Sequence, residues 1–209
     1  MQVISLLSRK GGSGKTTLAV HWAAEAGIGG KKPVVLVDMD AQGSCSSWFA
    51  KRAVETPLLI QSEPGAIKEH IEVCRADGVD WVIIDTEPNI DTSAVHAAIV
   101  SDLVIIPARP SVLDLEAIGG TVELVQGIRK PAVVILNQAP TRSCMTDEAR
   151  TALTDYGLPV CSVAIGNRIA FSRALIDGQV ASEIEPHGKA AIEVRQSWHW
   201  ILKQLNTGS

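Results

Sequence analysis

A glycine-rich segment, RKGGSGKTT at positions 9–17, is the feature of this sequence that most constrains its fold. It follows an apolar run at 3–7 and precedes a helical pattern at 18–26. In such a strand–loop–helix unit, glycines let successive backbone N–H groups point at anionic oxygens, and the helix adds its positive end. Lys15 is expected to neutralise charge on the β- and γ-phosphates, and the Thr16 hydroxyl to hold Mg²⁺. The sequence therefore predicts a phosphate-binding loop.

The rest of the sequence alternates short apolar runs with helical patterns. Continuous, mostly β-branched runs are typical of parallel strands that are buried on both faces. They lie at 34–37, 81–84, 103–106 and 133–136, with a weaker candidate at 158–163 and a short edge strand at 58–60. Helices are expected at about 14–27, 43–54, 64–76, 91–100, 113–129, 146–156, 168–177 and 187–205. This alternation predicts an α/β fold, a doubly wound, mostly parallel sheet with helices on both faces.

Length and composition fit one domain over 1–209, because 209 residues are enough for one α/β core and too few for two comfortable ones. The net charge of −4 argues against a nucleic-acid polyelectrolyte without excluding a local basic patch. The four cysteines and five histidines are scattered and predict neither a metal site nor a redox pair. No apolar stretch reaches the ~18 residues needed to cross a bilayer. With no room for a signal peptide before the first strand, a cytoplasmic location is expected.

The phosphate-binding loop is a variant, because Arg9 occupies the place of the usual first glycine and an extra lysine, Lys10, precedes the glycine pair. The segment KGGSGKT at 10–16 resembles the deviant Walker A motif of the ParA/MinD family of ATPases, which are P-loop NTPases. The resemblance implies ATP and Mg²⁺ as cofactors. It also implies a nucleotide-sandwich homodimer in the ATP state, in which Lys10 reaches the partner's phosphates. The loop residues implied in nucleotide binding are Lys10, Gly11, Gly12, Ser13, Gly14, Lys15, Thr16 and Thr17.

Aspartates end two of the predicted strands: Asp38 and Asp40 the one that begins at 34, and Asp85 the one that begins at 81. Carboxylates at strand ends that face a phosphate loop commonly hold Mg²⁺. In the resembled family, the first aspartate of such a pair supports the metal and the second positions the attacking water. Alternatively, these side chains cap the following helices. The catalytic residues implied are Lys10, Lys15 and Asp40, and the metal ligands implied are Thr16, Asp38 and Asp85, with Asp85 also contacting the nucleotide.

Three further positions carry weaker signals. Asn137 follows a predicted strand and matches the family's adenine-reading asparagine, although a turn-forming asparagine before Pro140 is the alternative. Glu87 stands where the family more often has a small residue or proline. It could slow hydrolysis near the γ-phosphate, or it could point to solvent. The segment at 106–114 resembles the family's proline-rich switch region and would place Asp114 at a helix start, reading the nucleotide state across the dimer.

The last predicted helix carries an apolar stripe that is expected to pack in the core or in a dimer. The stripe consists of Ala191, Val194, Trp198, Ile201 and Leu205. Trp200 lies on the other side, where it could contact a base, a partner or a membrane interface, or pack beneath a loop. The resemblance also implies nonspecific DNA binding through basic residues of this region. The candidates are Arg142, Arg150, Arg168, Arg173 and Arg195.

The resemblance therefore implies a ParA-type ATPase for plasmid or chromosome partition. Its ATP-dependent dimer would bind nucleoid DNA, and a centromere-binding, ParB-like partner would stimulate hydrolysis and drive segregation. Basal hydrolysis is expected to be weak, because the sequence shows no obvious arginine finger in cis. Alternatives on the same ATPase fold are a MinD-like membrane-associated regulator of cell division, a positioning ATPase for a protein organelle, and a metabolic ligase or reductase.

Overall fold

Six parallel strands form a single sheet in the computed structural model of this protein, which describes residues 1–28, 33–88, 92–141 and 144–207. The strands are β1 (Gln2–Leu6), β2 (Val34–Met39), β3 (Leu58–Gln61), β4 (Trp81–Thr86), β5 (Leu103–Ala108) and β6 (Ala132–Leu136). Their order across the sheet is β3-β2-β4-β1-β5-β6, and each pairing is parallel. The predicted sheet is confirmed, with the short strand at 58–60 on one edge.

The weaker strand candidate at 158–163 does not become a strand. It forms an isolated bridge in which Val160 lies beside Val134. The Cys161 N–H donates to the Val134 carbonyl oxygen at 2.8 Å, and no ladder extends from this contact. Pro159 explains the difference, because proline has no N–H to donate and is rarely accommodated within a sheet.

The helices follow the predicted alternation with two departures. They are α1 (Lys15–Ala26), α2 (Ser44–Phe49), α3 (Ile67–Ala76), α4 (Thr92–Val100), α5 (Val112–Ala117), α6 (Gly119–Gly127), α7 (Met145–Leu153), α8 (Ile169–Ile176), α9 (Ala181–Ile184) and α10 (Lys189–Thr207). The helix predicted at 113–129 is divided at Ile118, directly before two glycines, which are poor helix formers. The sequence did not predict α9, whose four residues are too few to show a helical period. Position 91, where α4 was expected to begin, lies outside the described residues.

Two apolar layers cover the two faces of the sheet. Side chains alternate along each strand, so Val35 and Val37 of β2 join one core cluster while Val34 and Leu36 join the other. The first cluster packs under α3, α4, α6 and α7, and the second under α1, α2, α8 and α10. In this arrangement the carboxyl ends of the strands meet at one edge of the sheet, which is where ligands bind in doubly wound folds.

The apolar stripe of α10 lies in the second core layer, as expected. Its buried members are Ala191, Val194, Trp198 and Ile201. The indole N–H of Trp22 in α1 donates to the Ser197 hydroxyl at 3.0 Å, and the Trp198 ring meets the Trp81 ring edge-on at 4.9 Å between centroids. Trp200 is half-buried and packs against the same layer, which agrees with the packing alternative. Among the described residues, α10 included, no helix is long and apolar enough to span a membrane.

Candidate functional site

The phosphate-binding loop connects β1 to α1 and carries two glycines in left-handed conformations. Gly12 (φ 73°) and Gly14 (φ 91°) adopt backbone angles that residues with a Cβ rarely take. Lys15 begins α1, and its buried Nζ donates to the Ser8 carbonyl oxygen at 3.4 Å. Burial lowers the pKa of Lys15, and the nearby carboxylates oppose that shift. The predicted strand–loop–helix unit is confirmed, with its lysine desolvated at the start of the helix.

Asp38 and Asp85 are register partners on the neighbouring strands β2 and β4. The Asp38 carboxylate accepts from the Ser46 N–H at 2.9 Å, the Ser46 hydroxyl at 2.8 Å and the Asp40 N–H at 3.2 Å. Asp40 in turn accepts from the Gln42 N–H at 2.9 Å. Asp38 and Asp40 therefore order the turn into α2, although the N-cap of that helix is Gly43 and has no side-chain cap. The strand register still keeps Asp38 beside Asp85.

Asp85 is completely buried at the centre of this edge. Burial raises its pKa to about 7, while the nearby Thr16 hydroxyl, Cys45 thiol and Lys15 ammonium act in the opposite direction. The Cys45 thiol donates to Asp85 Oδ2 at 3.3 Å, and burial keeps the pKa of Cys45 well above its usual range. Among the described residues, Asp85 Oδ1 has no hydrogen-bond partner. A buried carboxylate oxygen without a partner is suited to an incoming metal or its water.

The donor set at this edge fits Mg²⁺. One carboxylate oxygen from each of Asp38 and Asp85 lies, with the Cys45 sulfur, in a group whose atoms are all within 4.8 Å of one another. Mg²⁺ prefers oxygen ligands and keeps several of its waters. The two carboxylates and the Thr16 hydroxyl would hold the ion, and the protonated Cys45 thiol would orient Asp85. Bound there, Mg²⁺ would neutralise phosphate charge.

Lys10, the extra lysine of the loop, is bound within its own chain. Its Nζ lies 2.7 Å from Asp114 Oδ2, and the same carboxylate accepts from the Ser111 hydroxyl. Burial alone would raise the pKa of Asp114, but these hydrogen bonds and the charges of Lys10 and Arg109 lower it. Asp114 lies in the first turn of α5, as the sequence predicts. Its contact is with Lys10 of the same subunit, and a role across a dimer stays a prediction.

A cleft of about 480 Å³ opens beside the aspartates. Its wall includes Asp38, Asp40, Gln61 and Glu87. Glu87 is half-buried and lines the same cleft as Asp40, and its effect on hydrolysis stays a prediction. This acidic cleft has room for water beside Asp40, whose catalytic role stays a prediction.

Three polar side chains from the ends of β5 and β6 contact the loop. The Asn137 amide, predicted to read adenine, donates to the Ser13 carbonyl oxygen at 2.7 Å. Gln138 and Arg109 both donate to the Gly12 carbonyl oxygen, Gln138 at 2.9 Å. Sequence reasoning missed Gln138 and Arg109. Their position two or three residues after predicted strands was the available signal, because the carboxyl ends of parallel strands share one edge.

Comparison with known proteins assigns the family. The CobQ/CobB/MinD/ParA nucleotide binding domain matches residues 4–181, which include all but the first residues of β1, the whole of the other five strands, and the loop. The chain belongs to this family. It is a ParA/MinD-family ATPase that uses ATP and Mg²⁺, and family members form dimers and interact with partners.

Two relatives of similar length align with this chain over almost its whole length. It is 31% identical over 211 residues to the maintenance of carboxysome distribution protein A of Gloeobacter kilaueensis, with 98% of this chain and 94% of the relative covered. It is 28% identical to the protein of the same name from Halothiobacillus neapolitanus, with 95% of each covered. The septum site-determining protein MinD of Pyrococcus horikoshii, solved with Mg-ADP, has the same fold, with a TM-score of 0.82 and 17% identity. That match covers 100% of this chain and 98% of that one.

Proposed function

We propose that this protein is a ParA-type positioning ATPase whose ATP-bound homodimer binds DNA without sequence preference. A partner protein stimulates its weak basal hydrolysis, and repeated cycles of binding and release move or space a cargo. In this proposal the protein is cytoplasmic and associated with the nucleoid. The observation that carries the proposal is the ion pair between Lys10, in the phosphate loop, and Asp114. Lys10 can exchange Asp114 for the phosphates of a nucleotide in a second subunit.

The contacts of Lys10 support a switch between two partners. Its side chain is 36% exposed while bound to Asp114, so it can leave without unfolding the loop. A triphosphate with Mg²⁺ in a neighbouring subunit offers a stronger anionic partner than one carboxylate. Val112 and Leu113, which directly precede Asp114, are each 71% exposed. Exposed apolar side chains beside a releasable cation suit a surface that a second subunit covers.

A protein organelle is the cargo that the relatives favour. The two near-full-length relatives described above are both named for maintaining carboxysome distribution. Plasmid or chromosome partition with a ParB-like, centromere-binding partner is the second candidate, because partition ATPases belong to the same family. Both cargoes use the same nucleotide cycle, so the choice between them does not change the roles proposed for the loop.

The basic residues proposed for DNA binding differ in their availability. Arg168 pairs with Glu193, Arg195 pairs with Glu25, and Arg150 donates to backbone carbonyls. Arg173 on α8 is exposed and forms no ion pair with the described residues. Arg142 lies outside the described part of the chain. Arg173 is therefore the strongest of these candidates for a phosphate contact.

A MinD-like membrane role receives less support from α10. Binding to a membrane surface through this helix needs an apolar face that is free to enter the lipid. The stripe that includes Trp198 and Ile201 is instead buried against α1 and the sheet. Sedimentation with anionic vesicles in ATP tests this alternative directly.

The dimer is tested with Lys10→Ala in a non-hydrolysable ATP analogue and Mg²⁺. The variant is expected to bind nucleotide within a fewfold of the wild type but to stay monomeric in sedimentation velocity, because it lacks the cation that reaches the partner. Asp114→Asn, which frees Lys10, is expected to dimerise at lower protein concentration than the wild type. Lys68→Ala, which removes an exposed lysine on α3, is the matched control. A wild-type protein that stays monomeric when saturated with the analogue contradicts the proposal.

DNA binding and cargo need separate measurements. Retention on nonspecific DNA is expected to require ATP, to fall steeply with salt and to weaken in Arg173→Ala. Retention that is the same with ADP, ATP or no nucleotide contradicts the cycle. Copurification with an Asp40→Ala variant, expected to stay ATP-bound, separates the cargoes, because an organelle partner brings shell proteins and a partition partner brings a specific DNA site.

A further inference from the structure

Three side chains hold two consecutive carbonyl groups of the phosphate loop, and we call Arg109, Asn137 and Gln138 the carbonyl clasp. Arg109 and Gln138 converge on the Gly12 carbonyl oxygen, and Asn137 takes the next one, at Ser13. Arg109 directly follows β5, and the other two directly follow β6. Donors from two neighbouring strands therefore hold the loop from one side.

The clasp determines where the loop's N–H groups point. In a trans peptide the carbonyl and the following N–H point in opposite directions. Holding the Gly12 and Ser13 carbonyls toward the clasp therefore turns the N–H groups of Ser13 and Gly14 the other way. Consecutive N–H groups aimed at one point form an anion-binding nest. The clasp thus gives this part of the loop its phosphate-binding orientation before nucleotide arrives.

The backbone of Gln138 adopts a conformation that few residues other than glycine take. Its φ is 53°, in the left-handed region, which is uncommon for residues other than glycine and is retained where surrounding contacts fix it. Both neighbours are fixed, since the Asn137 N–H donates to the Ala108 carbonyl and the Ala139 N–H donates to the Ile165 carbonyl. Such a conformation commonly marks a functional site. Here it delivers the Gln138 amide to the loop.

The two left-handed glycines allow the clasp to approach closely. A Cβ on Gly12 would lie 2.6 Å from an Arg109 guanidinium nitrogen, and a Cβ on Gly14 would collide with the Asn137 amide nitrogen. The glycines are thus needed for contact with the clasp as well as for their backbone angles. The loop therefore contacts the clasp too closely to accept a side chain at either glycine.

We propose that Arg109 and Gln138, together with Asn137, are positioning residues of the ATPase that pre-orient the phosphate loop. Asn137 acts on the loop in this role, whether or not it also reads the base. The effect on nucleotide passes through the loop's N–H groups, so it depends on the phosphates and is independent of the adenine.

Gln138→Gly is the sharpest variant, because glycine accepts the left-handed backbone and removes only the side chain. Affinity for Mg-ADP and for a non-hydrolysable ATP analogue is expected to fall about fivefold to tenfold, the effect of losing one orienting hydrogen bond. Hydrogen exchange of the nucleotide-free loop at 9–17 is expected to accelerate. The matched control is Arg129→Gly, which replaces an exposed, left-handed residue (φ 56°) away from the loop. It is expected to leave both readouts unchanged.

Arg109 and Asn137 provide independent variants. Arg109→Ala is expected to weaken both nucleotides alike, and Arg109→Lys, which keeps a donor, to restore part of the loss. Asn137→Ser is tested by competition of Mg-tripolyphosphate against a fluorescent ADP, since tripolyphosphate has no base to read. The proposal expects tripolyphosphate affinity to fall with that of ADP.

Two results would overturn the proposal. One is unchanged nucleotide affinity and unchanged loop exchange in both Gln138→Gly and Arg109→Ala. The other combines two findings: Asn137→Ser loses affinity for adenine nucleotides only, and all three variants bind tripolyphosphate as tightly as the wild type does. If Gln138→Gly fails to fold, the Arg109 pair decides the outcome by the same measurements.

Discussion

The two ends of α1 are held in different ways. Its first residue, Lys15, donates to a carbonyl group of the loop before it, and the side chains of Asn137 and Gln138, which follow β6, donate to two others. Its body is held by apolar packing, with Trp22 and Ala23 fully buried beneath α10 and the sheet. A single hydrogen bond contributes about 1 kcal/mol, whereas a buried large side chain contributes several times more. The nucleotide end can therefore rearrange while the packed end keeps the helix in place.

The largest expected effect tests the packed end. Trp198→Ala removes a ring that packs edge-on against Trp81, and it should lower the free energy of unfolding by about 3–5 kcal/mol. Urea denaturation measures that loss, and calorimetry of the protein that remains folded should show nucleotide affinity within about twofold of wild type. Trp198→Phe, which keeps most of the apolar area, is the milder companion. Loss of nucleotide binding without loss of stability would mean that the packed end also determines the conformation of the loop.

At the loop end, Lys15→Ala is expected to have the opposite pattern: it weakens nucleotide binding and leaves stability unchanged. Removing the ammonium takes away its interaction with the phosphates, so ATP affinity should fall by about a hundredfold or more. Stability should stay the same or rise slightly, because a desolvated lysine is replaced by the best helix former. Calorimetric titration and urea denaturation on the same sample give both numbers. A clear loss of stability would mean that the loop end also supports the fold.

Mg²⁺ dependence should change with pH through Asp85. Its pKa is raised to about 7, so the carboxyl is protonated below that pH and ionised above it. Mg²⁺ must displace the proton, so the gain in ADP affinity on adding Mg²⁺ should grow by up to about tenfold per unit as pH rises toward 7 and then level off. Titrations with and without Mg²⁺ from pH 6 to pH 8 measure this gain. A pH-independent gain in wild type, equal to that in Asp85→Asn, contradicts the expectation.

A second pH-dependent effect concerns His21, midway along α1. Its Nδ1 meets the Thr17 carbonyl at 2.7 Å and its Nε2 accepts from the Ala181 N–H at 3.1 Å. Burial lowers the pKa of His21 to about 4 from an unfolded value of 6.5. Between those values only the unfolded chain binds the proton, so stability should fall as pH drops from 6.5 to 4, by at most about 1.4 kcal/mol per unit.

Comparing the wild type with a His21 variant isolates the contribution of His21 to the pH dependence of stability. His21→Asn should show a shallower pH dependence of the unfolding free energy between pH 4.5 and pH 6.5 than the wild type does. Equal slopes in the two proteins would mean that His21 is accessible to protons in the folded state.

Much of this architecture could be predicted because its signals are local. The strands are continuous apolar runs, the loop is a contiguous motif, and Asp38 and Asp85 end their strands as expected. The break at Ile118 falls where two glycines interrupt an otherwise helical period, and the four residues of α9 are too few to show a period at all. The ion pair between Lys10 and Asp114 joins residues far apart in the chain. Strand position could place Asn137 near the loop, but the direction of its amide depends on side-chain contacts that the sequence does not contain.

The register between β2 and β4 has a lasting consequence for this enzyme. Because Asp38 and Asp85 stand opposite each other on hydrogen-bonded strands, the separation of their backbones is set by the strand spacing of about 4.8 Å. Sequence drift in the surrounding helices has little influence on this spacing. Descendants of this chain can therefore change their outer surfaces while the two aspartates keep neighbouring backbone positions.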